Sequence, residues 1–288
     1  MIAFWRGSSA HTRIAMLTLV ALALGAALVP ALANTDPLAI GDALALRLLP
    51  PLSFDVTHHF HLLGTDTFGR DLFVRAMLAG RLSLTVGLAG SVLAGGVGIA
   101  IGAIGGWEGG IVDRVAMAAG DVLLAIPRLV ILLVCAALWT PGATMVITIL
   151  VLTGWMGVAR LVRGEVRGLR SRPFVEGAHA MGATPVRVLW RHVLPNALAP
   201  AIVAIALGVG SAVLLESGLS FLGLGIQPPQ PSWGNMIADG RELIVLAPWI
   251  ALAPGIALIL TVLSCTLLGD ALRDRLAGDE METIRARS

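Results

Sequence analysis

Residues 175–184 read VEGAHAMGAT. In a chain made mostly of apolar runs, this stretch holds one acid, one histidine, two glycines and several small residues, with arginines on either side. Local signals divide it. Ser171 suits a helix N-cap and Pro173 the first turn, so a helix is predicted over Phe174 to Met181. Gly182 supplies its stop, because glycine takes the left-handed conformation that ends helices. Thr184-Pro185 reads as a second start. The helix that follows carries Val186, Leu189, Trp190 and Val193 at i, i+3, i+4 and i+7, which makes one apolar face. Arg187 and Arg191 lie on another face, and Pro195 closes the helix before the next apolar run.

That run is one of several. The chain has 288 residues, is 57% hydrophobic and 13% charged, and has a mean hydropathy of +0.87. Soluble domains carry roughly 25% charged residues. Half that fraction leaves too little polar surface for a water-soluble particle, so the composition points to an integral membrane protein. The 34 glycines suit closely packed membrane helices. All twenty positive charges are arginine, and lysine and tyrosine are absent. Without lysine there is no P-loop lysine and no Schiff base. The arginines cluster beside apolar spans, which is a membrane-orientation pattern and not a nucleic-acid footprint. Cys135 and Cys265 both sit in apolar runs and read as small buried hydrophobes, with no disulfide or metal site implied.

A membrane helix needs about 20 mainly apolar residues. Six runs fit: Ile14 to Ala33, Arg81 to Glu108, about Val115 to Trp139, Ala143 to Ala159, Ala197 to Leu215, and Leu243 to Gly269. The third contains Asp121, Pro127 and Arg128 and ends in a Trp-Thr-Pro-Gly turn. With the N-terminus inside, segments 1–13, 107–114, 160–191 and 270–288 hold 14 arginines, and the outer segments 34–81 and 221–242 hold 5. The positive-inside rule then places both termini and the 160–196 loop in the cytoplasm. Arg70, Arg75 and Arg81 run against the rule. Either they belong to an interfacial amphipathic helix or the topology differs there. Ala31-Leu32-Ala33 also matches a signal-peptidase site, but the run before it exceeds the usual 7–15 residues of a signal h-region, so an uncleaved span is expected.

An apolar helical face in the 160–196 loop would suit a helix lying in the membrane interface. The small residues favour another use. Gly177, Ala178, Ala180, Gly182 and Ala183 make a low surface that a partner protein's groove can approach closely, with Glu176 as a fixed charge beside it. Glu176-Gly177-Ala178, then Gly182, then Leu194-Pro195, resembles the EAA loop of ABC importer permeases, whose pattern is E-A-A, three residues, G, nine residues, I-x-L-P. Gly177 replaces an alanine, at a cost of about 0.5–1 kcal/mol of helix stability, and His192 stands where isoleucine is usual.

The resemblance covers nearly the whole chain. His61-Leu62-Leu63-Gly64-Thr65-Asp66 with Gly69-Arg70-Asp71 is similar to the H-x-LGTD-x-x-GRD segment of dipeptide, oligopeptide and nickel importers. Residues 216–225, ESGLSFLGLG, with the PPQPSWGN of 228–235 are similar to the same subfamily, as is Gly269-Asp270-x-Leu272-Arg273-Asp274. Together they resemble the C-type permease subunit, although the usual Leu-Asp-Pro ending is absent. The resemblance implies an all-α integral membrane protein of about six transmembrane helices, in the type I, MetI-like permease fold with a cytoplasmic coupling-helix loop. It also implies an N-terminal segment 1–80 with the first helix and an extracytoplasmic loop, a permease domain 81–277, and a cytoplasmic tail 278–288.

No G-x-x-x-x-G-K-[ST] is present, so this subunit is expected to be non-catalytic and without a cofactor. ATP and Mg would be bound by two separate ATPase subunits. The other implied partners are a homologous B-type permease, an extracytoplasmic binding protein and membrane lipid, in a bacterial inner membrane. By resemblance the ATPase-coupling residues are Glu176, Gly177, Ala178, Gly182, Ala183, Leu194 and Pro195. Gly98-xxx-Gly102 reads as a helix-packing pair. The implied cargo is a dipeptide or oligopeptide, with nickel or another small solute as the alternative. An ATP-independent secondary transporter would show inverted repeats and charged midplane sites, neither of which is seen. Asp121, Arg128 and Glu216 are ionisable groups in spans, with packing or snorkelling as their plainest reading. His58-His59-x-His61 lies in a loop and reads as incidental, not metal-binding. Glu108, Asp113 and Arg114 read as an ordinary inner turn.

Overall fold

The computed structural model describes residues 9–33, 38, 43–56 and 58–285. Its elements in chain order begin with helix α1 (Ala10–Leu32), a short α2 (Ala43–Leu46) and a two-stranded antiparallel hairpin, β1 (Ser53–Phe54) with β2 (Phe60–His61). Helices α3 (Leu72–Glu108), α4 (Gly110–Ala125), α5 (Arg128–Leu138), α6 (Ala143–Arg170), α7 (Pro173–Ala180) and α8 (Pro185–Val188) follow. A π-helical turn (Leu189–Val193) leads into α9 (Leu194–Phe221), then α10 (Trp233–Gly240), a 3-10 turn and α11 (Trp249–Arg285).

Five stretches are long and apolar enough to cross a membrane: Ala10–Leu32, Leu72–Glu108, Ala143–Arg170, Pro185–Phe221 and Trp249–Leu276. They correspond to the first, second, fourth, fifth and sixth runs of the sequence. The third run is two helices, α4 and α5, of 16 and 11 residues. The break falls at Ile126, which is extended (φ −87°, ψ 126°). A proline disfavours the helical conformation at the residue before it, and Ile126 before Pro127 is extended accordingly.

The second span starts at Leu72, earlier than the expected Arg81. Asp71 begins it, its Oδ1 accepting the Val74 amide at 3.0 Å. Arg70 and Arg75 are therefore not part of a separate interfacial helix. Both meet Asp66: Arg70 Nε lies 2.7 Å and Arg75 Nε 3.6 Å from its Oδ2, and Asp66 and Arg75 are buried. Asp66 Oδ1 also accepts the Phe68 and Arg70 amides. Arginines consumed in such a knot do not weigh on orientation as free charges do. Burial pushes the nearby Asp239 carboxyl up, with the charges of Arg75 and Arg70 opposing. His61 of the histidine cluster is held between Asp71 (Nδ1 to Oδ2, 2.7 Å) and Asp55 (Nε2 to Oδ2, 3.5 Å).

The chain divides into two compact units, each assembled from separate segments: 1–88, 136–147 and 210–267, and 89–135, 148–209 and 268–288. In the first, Trp233 of α10 is fully enclosed. Its indole N–H donates to the Ala76 carbonyl at 3.0 Å, and its ring lies against Gly80, where a Cβ would collide with it. In the second, one apolar core draws on α3 (Ala103, Trp107), α6 (Val158, Val162, Val166), α7 (Val175, Ala178) and the π turn and α9 (Val193, Ala197, Ala201). Between membrane helices such contacts hold by close packing, since lipid tails are as apolar as these side chains. Residues 286–288 of the expected tail lie outside the described residues, and α11 runs to Arg285.

Candidate functional site

The loop of 160–196 is built as the sequence suggests, with two changes. Helix α7 starts at Pro173, and its N-cap is Arg172 (ψ 146°), not Ser171. The residue before a proline is biased toward extended backbone, which places the cap next to the proline here. Ser171 Oγ instead donates to the Gly168 carbonyl at 3.4 Å. At the other end Gly182 has φ +83°. The Ala183 amide reaches back to the Ala178 carbonyl and the Gly182 amide to that of His179. This is the paired bonding of a Schellman stop.

The second change concerns Pro195. It does not close a helix; the chain is helical from Pro185 to Phe221. A proline inside a helix clashes with the carbonyl four residues back and donates no bond. Here the turn before it widens to π form, and the Leu194 amide bonds the Leu189 carbonyl, five residues back. The wider turn shifts the helix phase. Leu189 and Val193 of the expected apolar face are buried, with Val188 beside them, while Val186 and Trp190 are exposed.

The predicted coupling residues separate into two groups. Glu176, Gly177 and Gly182 face outward, and a Cβ on either glycine would meet nothing within 4 Å. Ala178 and Leu194 face inward and are buried in the core, Ala183 is half-buried against it, and Pro195 is exposed on the helix. The open face is less featureless than the small residues suggested. Phe174 and Met181 stand at its ends, 44% and 84% exposed.

Behind α7 lies a buttress the sequence reading missed. The His179 ring stacks on Trp107, centroids 6.2 Å apart. Arg170 Nη1 donates to the Trp107 carbonyl at 2.7 Å, and its guanidinium lies 5.8 Å from the centroid of that ring. Asp113 is no ordinary turn residue. It is buried and accepts from Arg163, Nη2 to Oδ2 at 2.7 Å and Nε to Oδ1, and from Arg167 at 2.5 Å. It sits in the first turn of α4, outside the five spans. The Arg163 hydrogen bond holds its carboxyl below the usual carboxylate range, against the cost of burial. The legible signal was the i, i+4, i+7 spacing of Arg163, Arg167 and Arg170 on one face of α6, which needs an acid opposite it.

Helices α3 and α6 touch backbone to backbone. A Cβ at Gly98 would collide with the Trp155 carbonyl oxygen, at Gly102 with that of Ala159, and at Gly106 with that of Arg163. Gly106 extends the expected pair by another turn.

This arrangement can now be set beside known proteins. Residues 98–278 match the family described as binding-protein-dependent transport system inner membrane component. The oligopeptide transport system permease protein OppC of Bacillus subtilis is 36% identical over 216 residues, 75% of this chain and 71% of that protein. The dipeptide transport system permease protein DppC of Alkalihalophilus pseudofirmus is 39% identical, over 75% of this chain and 71% of its own length. The glutathione transport system permease protein GsiD of Pectobacterium atrosepticum is 37% identical, over 75% and 72%. The chain belongs to this family of transport permeases.

Of the three ionisable residues expected in spans, Asp121 and Glu216 find partners near by. Asp121 pairs with Arg160 in an exposed contact. The Arg128 side chain lies outside the described residues. Glu216 is completely buried, and Ser220 Oγ donates to its Oε1 at 2.7 Å. Ser217 Oγ also donates to its Oε2 at 3.4 Å, and Ser83 and Ser232 lie close to it. Among the described residues of the permease, no group of three or more His, Cys, Asp or Glu has metal-holding geometry.

Proposed function

We propose that the permease couples ATP hydrolysis by separate subunits to peptide import, through the outward face of α7. The observation that carries this reading is the division of α7 between two faces. Its inner face is locked to α3 and α6 by Val175, Ala178 and the His179–Trp107 stack. Its outer face presents Glu176 with open space above Gly177 and Gly182. A short helix stiffened from behind and bare in front transmits a push from a partner groove. The continuous helix of Pro185–Phe221 carries that push into the membrane as a rigid body.

On this reading the loop is cytoplasmic, both termini are inside, and residues 81–277 form the permease domain with a tail at 278–288. A homologous B-type permease supplies the other half of the pathway. Two ATPase subunits hold ATP and Mg, and an extracytoplasmic binding protein delivers the cargo. Oligopeptide, dipeptide and glutathione permeases among the relatives support a short peptide as that cargo.

The test uses the assembled transporter in proteoliposomes. Glu176→Arg reverses the one fixed charge of the face, and Gly182→Trp adds bulk at its edge. Both variants should insert normally yet lose most peptide uptake per ATP hydrolysed. Wild-type uptake by Gly182→Trp would overturn the coupling role of α7.

A further inference from the structure

Next to the Trp107 buttress lies an open cavity of about 390 Å³, lined by Gly106, Gly109, Arg167, Arg170 and Ser171. Its lining residues are two arginines, a serine and two glycines, with no acid and no bulky apolar side chain. Positive charge is in excess around it. Segments 107–114 and 163–172 hold five arginines (114, 163, 167, 170 and 172) against three acids (Glu108, Asp113 and Glu165). Asp113 is shared by Arg163 and Arg167, so one carboxylate serves two cations. Arg170 meets a carbonyl oxygen and an aromatic face, neither of which neutralises it. A guanidinium carries five donors in a planar fork that matches phosphate oxygens.

The neighbourhood of the cavity is apolar on the helices that lead to it. Ile111 and Val112 follow Gly109 at the start of α4, and both are exposed. A cavity bordered by two arginines, close to exposed aliphatic side chains, fits an amphiphile with a phosphate at one end. Basic pockets at the membrane boundary bind anionic lipid head groups for this reason.

We propose that this cavity binds the phosphate head group of an anionic phospholipid. Arg167 and Arg170 clamp the phosphate, Ser171 donates to it, and the acyl chains lie along the exposed Ile111 and Val112. Gly106 and Gly109 keep the wall low enough for the head group to enter. The lipid would sit beside α7 and stiffen the buttress. The site depends on the permease being in a membrane, not on the coupling role of α7.

Native mass spectrometry of the full-length permease in detergent tests this, with phosphatidylglycerol, phosphatidylcholine or glycerol 3-phosphate added. Phosphatidylglycerol should be retained and phosphatidylcholine lost. The Arg167→Gln, Arg170→Gln double variant should retain phosphatidylglycerol about thirtyfold less well, the loss expected for two surface-bound basic contacts. Arg191→Gln, an exposed arginine away from the cavity, should retain it as the unaltered chain does. If the double variant fails to accumulate, Ser171→Asp serves instead. It places a carboxylate at the exposed rim and should abolish retention.

Equal retention of the two lipids, unchanged retention in Ser171→Asp, or an equal loss in Arg191→Gln would overturn the proposal. Displacement of the lipid by millimolar glycerol 3-phosphate would assign the site to a free phosphate. If phosphatidylglycerol is not retained but Ser171→Asp blocks copurification of the ATPase, the cavity is a protein contact and the lipid site is refuted.

Discussion

Glu216 has no cation beside it among the hydrogen bonds and ion pairs described above, only serine hydroxyls. Ser220 Oγ accepts the Ile226 amide at 3.0 Å while donating to Glu216. Ser232 Oγ accepts the Asn235 amide and Ser83 Oγ the Trp233 amide, both at 3.3 Å. Each of these serines therefore has its proton free for the carboxylate. Glu216 sits among them, where the Ser83–Trp233 bond joins α3 to α10 and the Ser220–Ile226 bond holds the turn after α9. Replacing it with alanine would strand these donors, at about 1–3 kcal/mol for each buried group left unpaired. Glu216→Ala should lower the melting temperature of the purified permease sharply, and Glu216→Gln, which keeps an acceptor oxygen, much less. An equal loss in both would show that charge and not hydrogen bonding holds the site. Gly102 gives a second test at this scale. A valine there must push against the Ala159 backbone, and overpacking of this kind costs about 1–3 kcal/mol. Gly96, where a Cβ meets nothing within 4 Å, is the control. Gly102→Val should melt earlier and Gly96→Val should not. The spacing of Gly98 and Gly102 pointed to a backbone contact, but that Gly106 shares it and Gly96 does not was not legible in the sequence. Composition does not say which face of a helix meets its neighbour.

Helix α7 shows the same limit for a whole element. Its start, its stop and its length follow from Pro173 and Gly182, so they were readable in advance. Its division into inner and outer faces was not, because successive residues turn by about 100° and the supporting surface belongs to α3 and α6. Ala178 and Leu194 match the motif and yet serve the core. The turn at 189–193 shows a second limit. A proline signals a helix end, and here a π turn absorbs it instead. The Asp113 clamp makes a pH prediction at this scale. Its folded carboxyl titrates below the unfolded value of about 3.9, so its stabilisation is present above pH 4 and is lost as pH falls through the lowered value. Melting curves of the permease and of Asp113→Asn should differ most near pH 7 and converge below about pH 4. A gap that widens on acidification would remove the clamp from the account.

For the molecule as a whole, the chain has no phosphate-binding lysine anywhere. Purified alone and reconstituted, it should hydrolyse no ATP and take up no peptide, and uptake coupled to ATP hydrolysis should appear when the partner permease, the ATPase subunits and the binding protein are added together. Uptake by the isolated chain would refute the coupled-importer reading. The sequence by itself determined that the protein is embedded in membrane, since a chain with 13% charged residues cannot coat itself for water. It also determined five of the six spans, since about 20 apolar residues in a row have one stable solution in lipid. The motif spacing led to the family. Tertiary structure alone decided the rest: that Arg70 and Arg75 are spent on Asp66, that Asp113 is buried between Arg163 and Arg167, and that a cationic cavity opens beside Trp107. Each joins residues far apart in the chain or turns a side chain toward one neighbour and not another. Charge pairing and burial depend on distance in space, and local sequence specifies only the helix, not what it packs against.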